Sequence, residues 1–237
     1  MTPIPIRLPV AGLTALSTLD YPGRLACVVF LQGCPLRCGY CHNPGMIAPR
    51  RGGLTEWLEV EHFLHRRRGL LDAVVFSGGE PTRHGDLEAA IRRARGLGYR
   101  IGLHTAGPYP RRLRRLLPHL DWVGLDVKGA PADFDRIAGR PGVGVRHGQS
   151  LDVLLSSGVA LECRTTVHWR DFQIDQVERL ARWLARRGVR HYALQLARTE
   201  QCLDARYQRP VAGAPSRAEL EQRLATLTPC FETLVLR

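Results

Sequence analysis

The chain contains no run of 18 apolar residues, so no segment of it is read as crossing a membrane. Its most apolar early stretch, Leu8 to Leu16, is broken by Pro9 and Gly12, and a strand-and-turn reading explains it as well as a signal peptide does. The pattern of a disulfide framework is missing too. There are seven cysteines, an odd number, and three of them fall between positions 34 and 41. That usage points to a reducing compartment and a cytoplasmic location. Nor is there a recognition helix, an RNP-type motif or a zinc finger. The 34 Lys plus Arg outnumber the 22 Asp plus Glu, for a formal net charge of +12, but they are scattered in pairs along expected helices. They read as solvated faces, and nucleic acid is not the expected partner.

What the chain does have is alternation. Apolar runs at Leu25–Leu31, Ala73–Phe76, Arg100–His104, Trp122–Val127, Val159–Val167 and Arg190–Leu196 read as buried strands. Helices are expected between them, at Thr55–Arg68 with Thr55 as N-cap, then at Pro110–Leu117, Leu151–Ser157 and Ile174–Arg187. Leu87, Ala90, Ile91, Ala94 and Leu97 mark one face of another helix, which Gly98 stops. Ala218–Leu227 reads as a helix and Phe231–Leu236 as a closing strand. This is the pattern of an α/β fold, a parallel sheet covered by helices, with functional groups at the C-terminal ends of the strands. At 237 residues the chain can bury a full core. We expect one domain over 1–237, with its core at about 12–197 and an extension over 198–237.

The first strand runs into Gln32-Gly33-Cys34-Pro35-Leu36-Arg37-Cys38-Gly39-Tyr40-Cys41-His42-Asn43, which carries three cysteines in the spacing CxxxCxxC. A structural zinc site closes with four ligands, and so does an ordinary iron–sulfur cubane. Three thiols leave a metal position open, which is where chemistry can occur. A buried reduced trio, or zinc completed by His42, are the alternatives, although His42 adjoins Cys41 and would point elsewhere. The next strand ends at Ser77-Gly78-Gly79-Glu80-Pro81, where paired glycines permit close backbone approach and Glu80 adds a carboxylate. The third ends at His104-Thr105-Ala106-Gly107 and the fourth at Asp126-Val127-Lys128, whose two charges face one side. Arg164, Thr166 and His168 share a face of the fifth, and Gln195 lies on the sixth. Cys27, Cys163, Cys202 and Cys230 lack the spacing of a second cluster and read as small buried hydrophobes.

CxxxCxxC with an aromatic before its last cysteine, followed one strand–helix unit later by Gly78-Gly79-Glu80, resembles the radical S-adenosylmethionine (SAM) superfamily. The resemblance implies an incomplete (β/α)6 barrel, a [4Fe–4S] cluster on Cys34, Cys38 and Cys41, and SAM at the open iron. It places Tyr40, Gly78, Gly79, Glu80, His104, Asp126, Lys128 and Gln195 around SAM, with Glu80 at its ammonium and Lys128 at its carboxylate. Within the superfamily, Thr18-Leu19-Asp20-Tyr21-Pro22-Gly23, Cys41-His42-Asn43-Pro44 and Gly52-Gly53 resemble glycyl-radical-enzyme activating proteins. The chain is most similar to those of anaerobic ribonucleotide reductase. Related activases often have Asp-Thr-Asn-Gly where this chain has His104 to Gly107, which bears on a monovalent cation site beside SAM.

The implied activity is reductive cleavage of SAM to a 5′-deoxyadenosyl radical that takes a hydrogen from a glycine of a partner glycyl radical enzyme. A flavodoxin- or ferredoxin-type electron donor is implied with it. No side chain is needed as acid or base, so no catalytic residue is named beyond the cluster ligands. The alternatives are a radical SAM enzyme acting on a small molecule, such as a 7-deazaguanine-type precursor, and a non-catalytic iron–sulfur electron carrier.

Overall fold

The computed structural model describes residues 5–49 and 55–237, so Gly52-Gly53 lie outside the described residues. The chain divides into two compact units, one of residues 1–35, 45–105 and 109–123, the other of 36–44, 106–108 and 124–237. The strands follow chain order in an eight-stranded sheet. Six strand–helix repeats make up most of it, in agreement with the count of apolar runs.

In the first unit, β1 (Val10–Ser17) pairs antiparallel with β2 (Ala26–Leu31). β3 (Ala73–Gly78) and β4 (Arg100–Thr105) then add in parallel. Val28, Val29, Val74 and Val75 are fully buried, each worth roughly 1.5–3 kcal/mol of transfer free energy. That accounts for a sequence apolar at consecutive positions rather than alternate ones. Helices α1 (Trp57–Arg66), α2 (Leu87–Gly96) and α3 (Pro110–Leu116) bury their apolar stripes. One expectation fails at the start of α1. Thr55 donates its backbone N–H to Val10 O (3.2 Å), and Glu56 takes the N-cap position. Tyr21 enters the core beside Ala26, Val28, Ala73, Val75 and Trp122, its ring centroid 5.2 Å from that of Trp122. Strand β5 (Trp122–Asp126) starts in this unit and ends in the second.

The second unit continues with α4 (Phe134–Ala138), α5 (Val143–Leu155), β6 (Ala160–Val167), α6 (Ile174–Arg186) and β7 (His191–Leu196). α5 begins eight residues before the Leu151 expected from sequence, because its start is capped from a distance. Asp135 accepts from the backbone N–H groups of Gly142 (2.6 Å) and Gly144 (2.7 Å), satisfying donors that a helix start leaves open. α6 opens on a capping box between Gln173 and Gln176. The tail supplies α7 (Arg217–Ala225), capped by Ser216, and β8 (Thr233–Leu236), which pairs in parallel with β7. Cys27, Cys163 and Cys202 are buried as expected, but Cys230 is exposed: it lies in a short turn ahead of β8, outside the packed elements.

Candidate functional site

In the first unit, the register of β2 with β3 sets Leu31 opposite Gly78 and so joins two of the sequence motifs. Gly79 N–H donates to Leu31 O (2.8 Å) and Glu80 N–H to Gly33 O (3.0 Å). The opening of the cysteine loop is held from its other side, by Gly33 N–H to Met46 O (2.7 Å) and Cys34 N–H to Ile47 O (3.1 Å). Gly78 has φ +115°, and a Cβ there would meet Leu31 N at 2.3 Å. A Cβ on Gly79 would meet Gly33 O at 2.4 Å. Gly78 thus packs its backbone against the end of β2, and Gly79 against Gly33 at the opening of the cysteine loop, a tighter requirement than access for a ligand alone.

Glu80 is 1% exposed. Its Oε1 accepts from Thr82 N–H (3.0 Å), the Thr82 hydroxyl (2.5 Å) and the Thr105 hydroxyl (2.6 Å). The carboxylate is thereby fixed to the ends of β3 and β4. His104, at the end of β4, donates from Nε2 to Asp20 O (2.9 Å), and its Nδ1 lies 3.3 Å from the Ser77 hydroxyl. Its ring stands edge-on to Trp122, with centroids 5.5 Å apart. His104 thus anchors the Asp20–Gly23 turn, which Ser17 also braces through the Asp20 carboxylate (2.5 Å).

In the second unit, Cys38, Tyr40 and Cys41 form a turn closed by Cys41 N–H to Cys38 O (3.0 Å). Asp126 and Lys128 do share one side, with Nζ 3.1 Å from Oδ2, and Arg164 Nε lies 3.5 Å from Oδ1 of the same carboxylate. Lys128 Nζ is 5.7 Å from the centre of the Tyr40 ring. Burial opposes the charge on Lys128, but Asp126, Tyr40 and Cys38 more than offset it and hold the ammonium well above the ordinary lysine value. Burial pushes the Cys38 thiol up, and Lys128 works against that rise. Lys128 is the only lysine among the 34 basic residues. Its ammonium is a compact point charge, unlike the planar guanidinium of the arginines.

Gln195 is half-buried and sits opposite Thr166 in the β6–β7 ladder. His168 lies just past β6 and is occupied: Nδ1 accepts from Arg170 N–H (3.1 Å) and Nε2 donates to Tyr207 O (2.9 Å). The backbone after β4 is used as well, with Ala106 O bonded to His147 Nδ1 (3.0 Å) and Gly107 O to the Ser150 hydroxyl (2.8 Å). His147 stacks on Phe134 at 4.3 Å, and burial lowers its pKa to about 4. Neither His147 nor Tyr207 stands in any motif spacing, and nothing in the sequence picks them out.

The donor set suits an iron–sulfur cluster: three thiols on one loop, one of them a buried thiol that burial raises, with Lys128 offsetting part of that rise. Among the described residues no three His, Cys, Asp or Glu side chains gather closely enough to share a single metal ion. A four-iron cluster takes each thiolate on a different iron, so the two observations are compatible.

The family model for the radical SAM superfamily matches residues 28–184. A Methanocaldococcus jannaschii protein named as a candidate glycyl-radical enzyme activating enzyme is 29% identical over 211 residues, 84% of each chain. The pyruvate formate-lyase-activating enzyme of Clostridium pasteurianum is 31% identical over 132 residues, 52% of this chain and 54% of that enzyme. The chain thus spans about half the length of that relative. Among solved structures, QueE from Escherichia coli aligns with TM-score 0.58 at 18% identity, covering 97% of this chain and 93% of QueE. SuiB of Streptococcus suis bound to S-adenosylmethionine aligns with TM-score 0.62 at 14% identity, covering 87% of this chain and 48% of SuiB. At these identities the likeness shows the fold alone.

Proposed function

The chain belongs to the radical SAM superfamily, and from that membership we propose that it is an activating enzyme for a glycyl-radical enzyme, with anaerobic ribonucleotide reductase the expected partner. The observation that carries this reading is the similarity, along 84% of both chains, to a relative named as a candidate for that activity. The Asp20–Gly23 opening and the compact run from CxxxCxxC to Gly78-Gly79-Glu80 support it.

Enzymes of this superfamily use a [4Fe–4S] cluster and SAM, which when bound supply one-electron chemistry and a hydrogen-abstracting radical. In this reading Cys34, Cys38 and Cys41 hold the cluster. Gly78, Gly79 and Glu80 receive the ammonium end of SAM, Lys128 pairs with its carboxylate, and Asp126 is the anion beside that lysine. Tyr40, His104 and Gln195 complete the contacts. The residues bind, orient and exclude water. Lys128 stays protonated in its ion pair and Glu80 is held in place by two threonines, so neither has to move a proton. The electron donor is of flavodoxin or ferredoxin type, and the protein works in the reducing conditions that its free thiols require.

The test uses the reconstituted protein, SAM, a reductant and a candidate partner enzyme labelled with α-deuterated glycine. Deuterium should appear in 5′-deoxyadenosine, together with a persistent protein radical on the partner. If no partner transfers deuterium while a small metabolite labels the product readily, the activating-enzyme reading is wrong and a small-molecule substrate replaces it.

A further inference from the structure

The tail beyond β7 carries no motif, yet in the second unit it is bonded to the turn that bears Cys38 and Cys41. Leu203 N–H donates to Cys41 O (3.1 Å) and Asp204 N–H to Gly39 O (3.0 Å), two ladder-like bonds from a segment some 160 residues away in sequence. The segment then folds into a 3-10 turn, Ala205–Gln208, capped by Asp204, which accepts from Arg206 N–H (2.9 Å). That turn presents Tyr207 to the cysteine turn. A Cβ on Gly39 would fall 2.2 Å from the Tyr207 ring.

The ring is not free to yield. Its hydroxyl donates to Asp171 Oδ1 (2.9 Å), and Arg136 Nη1 donates to the same oxygen (3.0 Å). Asp171 is 6% exposed. Burial and then Asp171 raise the Tyr207 hydroxyl to about 12, which keeps it a neutral donor. The Tyr207 carbonyl takes the His168 Nε2–H, and the His168 ring lies 4.6 Å from the Tyr207 ring. Tyr40 approaches Tyr207 from the cysteine turn at 6.5 Å.

We infer that residues 203–207 are a strap that sets the geometry of the Cys38–Cys41 turn, with Tyr207 as its positioning residue. The turn itself is closed by Cys41 N–H to Cys38 O, and the strap supplies donors to the carbonyls of Gly39 and Cys41 that face it. Gly39 and Cys41 are half-buried, and each such bond makes a modest net contribution to stability. The inference rests on reading Cys38 and Cys41 as cluster ligands, and it says why a glycine stands between them.

Hydrogen exchange on the apo protein tests the strap without any cluster. The amides of Leu203, Asp204 and Cys41 should be protected in the wild type, and at least tenfold faster in Tyr207→Ala while the helices α5 and α6 keep their protection. Unprotected wild-type amides would overturn the strap, whatever the protein does with iron. On the reconstituted protein, Tyr207→Ala should release iron to a chelator several times faster than wild type at a temperature where both variants are fully folded, with Tyr207→Phe in between. Gly39→Ala should lose the cluster's visible absorption, and Gly39→Ala with Tyr207→Ala should regain part of it, since the clash is gone. Equal chelation rates, or no recovery in the double variant, would refute the positioning role. A wild type with protected amides that assembles no cluster would instead refute the proposed function and leave the strap standing.

Discussion

Gly79→Ala separates two uses of the glycine pair, access for a ligand and contact within the protein. The added methyl would sit 2.4 Å from Gly33 O, 2.6 Å from Gly33 C and 3.0 Å from Met46 O, all backbone atoms that no rotamer change can move. Overpacking of this kind costs about 1–3 kcal/mol. Relief by shifting the loop would also strain Gly79 N–H to Leu31 O and Glu80 N–H to Gly33 O, each worth about 1 kcal/mol. We expect the apo protein to lose about 3 kcal/mol, a large share of a typical stability of roughly 5–15 kcal/mol. In urea, with a slope of about 3 kcal/mol per molar, the midpoint should fall by about 1 M. Gly85→Ala is the control, because a Cβ there meets nothing within 4 Å. Denaturation of both variants without iron or SAM gives the answer. If Gly79→Ala is as stable as Gly85→Ala, the glycine serves only a ligand and the reasoning from backbone contact fails.

Lys128 is the only side-chain amine, so its acylation can be followed on a single peptide, apart from that of the α-amine. Buried against Asp126, it should react far more slowly than the same side chain in urea, read by mass spectrometry, and equal rates would refute its ion-paired burial. Its pKa is raised in the fold, so its contribution to stability is fully present below the ordinary lysine value near 10.4 and is lost only as pH climbs through the higher folded value. Lys128→Met should cost about 1–2 kcal/mol, at the low end for a charged bond because the Asp126 side chain is 35% exposed. His147 behaves oppositely: burial lowers it to about 4, so the stability it contributes is present above pH 6.5 and falls away between there and pH 4. That loss is at most about 3 kcal/mol, and His147→Gln should flatten the acid limb of a stability profile; an unchanged limb would show that other groups govern it. Serine at Cys34, Cys38 or Cys41 should abolish iron binding on anaerobic reconstitution, measured as iron per chain, whereas Cys163→Ala and Cys230→Ser should keep it. Iron retained in any of the first three would move the cluster elsewhere.

Strand identity was legible in the sequence because fully buried parallel strands must be apolar at consecutive positions, as Val28-Val29 and Val74-Val75 are. The cysteine trio and Gly78-Gly79-Glu80 were legible for a different reason: each depends on neighbours in the chain, and spacing carries that information. What needed the tertiary structure was every feature whose partner lies far off in sequence. The true start of α5 was hidden because its donors are satisfied by Asp135 rather than by an adjacent cap, and Gly144 and Gly148 weaken its helical pattern. Thr55 has the composition of a cap, but its backbone is taken by Val10. The requirement at Gly79 comes from Gly33 O, and the requirement at Gly39 from the ring of Tyr207. A glycine states in sequence only that a side chain is absent. The atom that forbids one is decided by which backbones the fold brings within van der Waals distance.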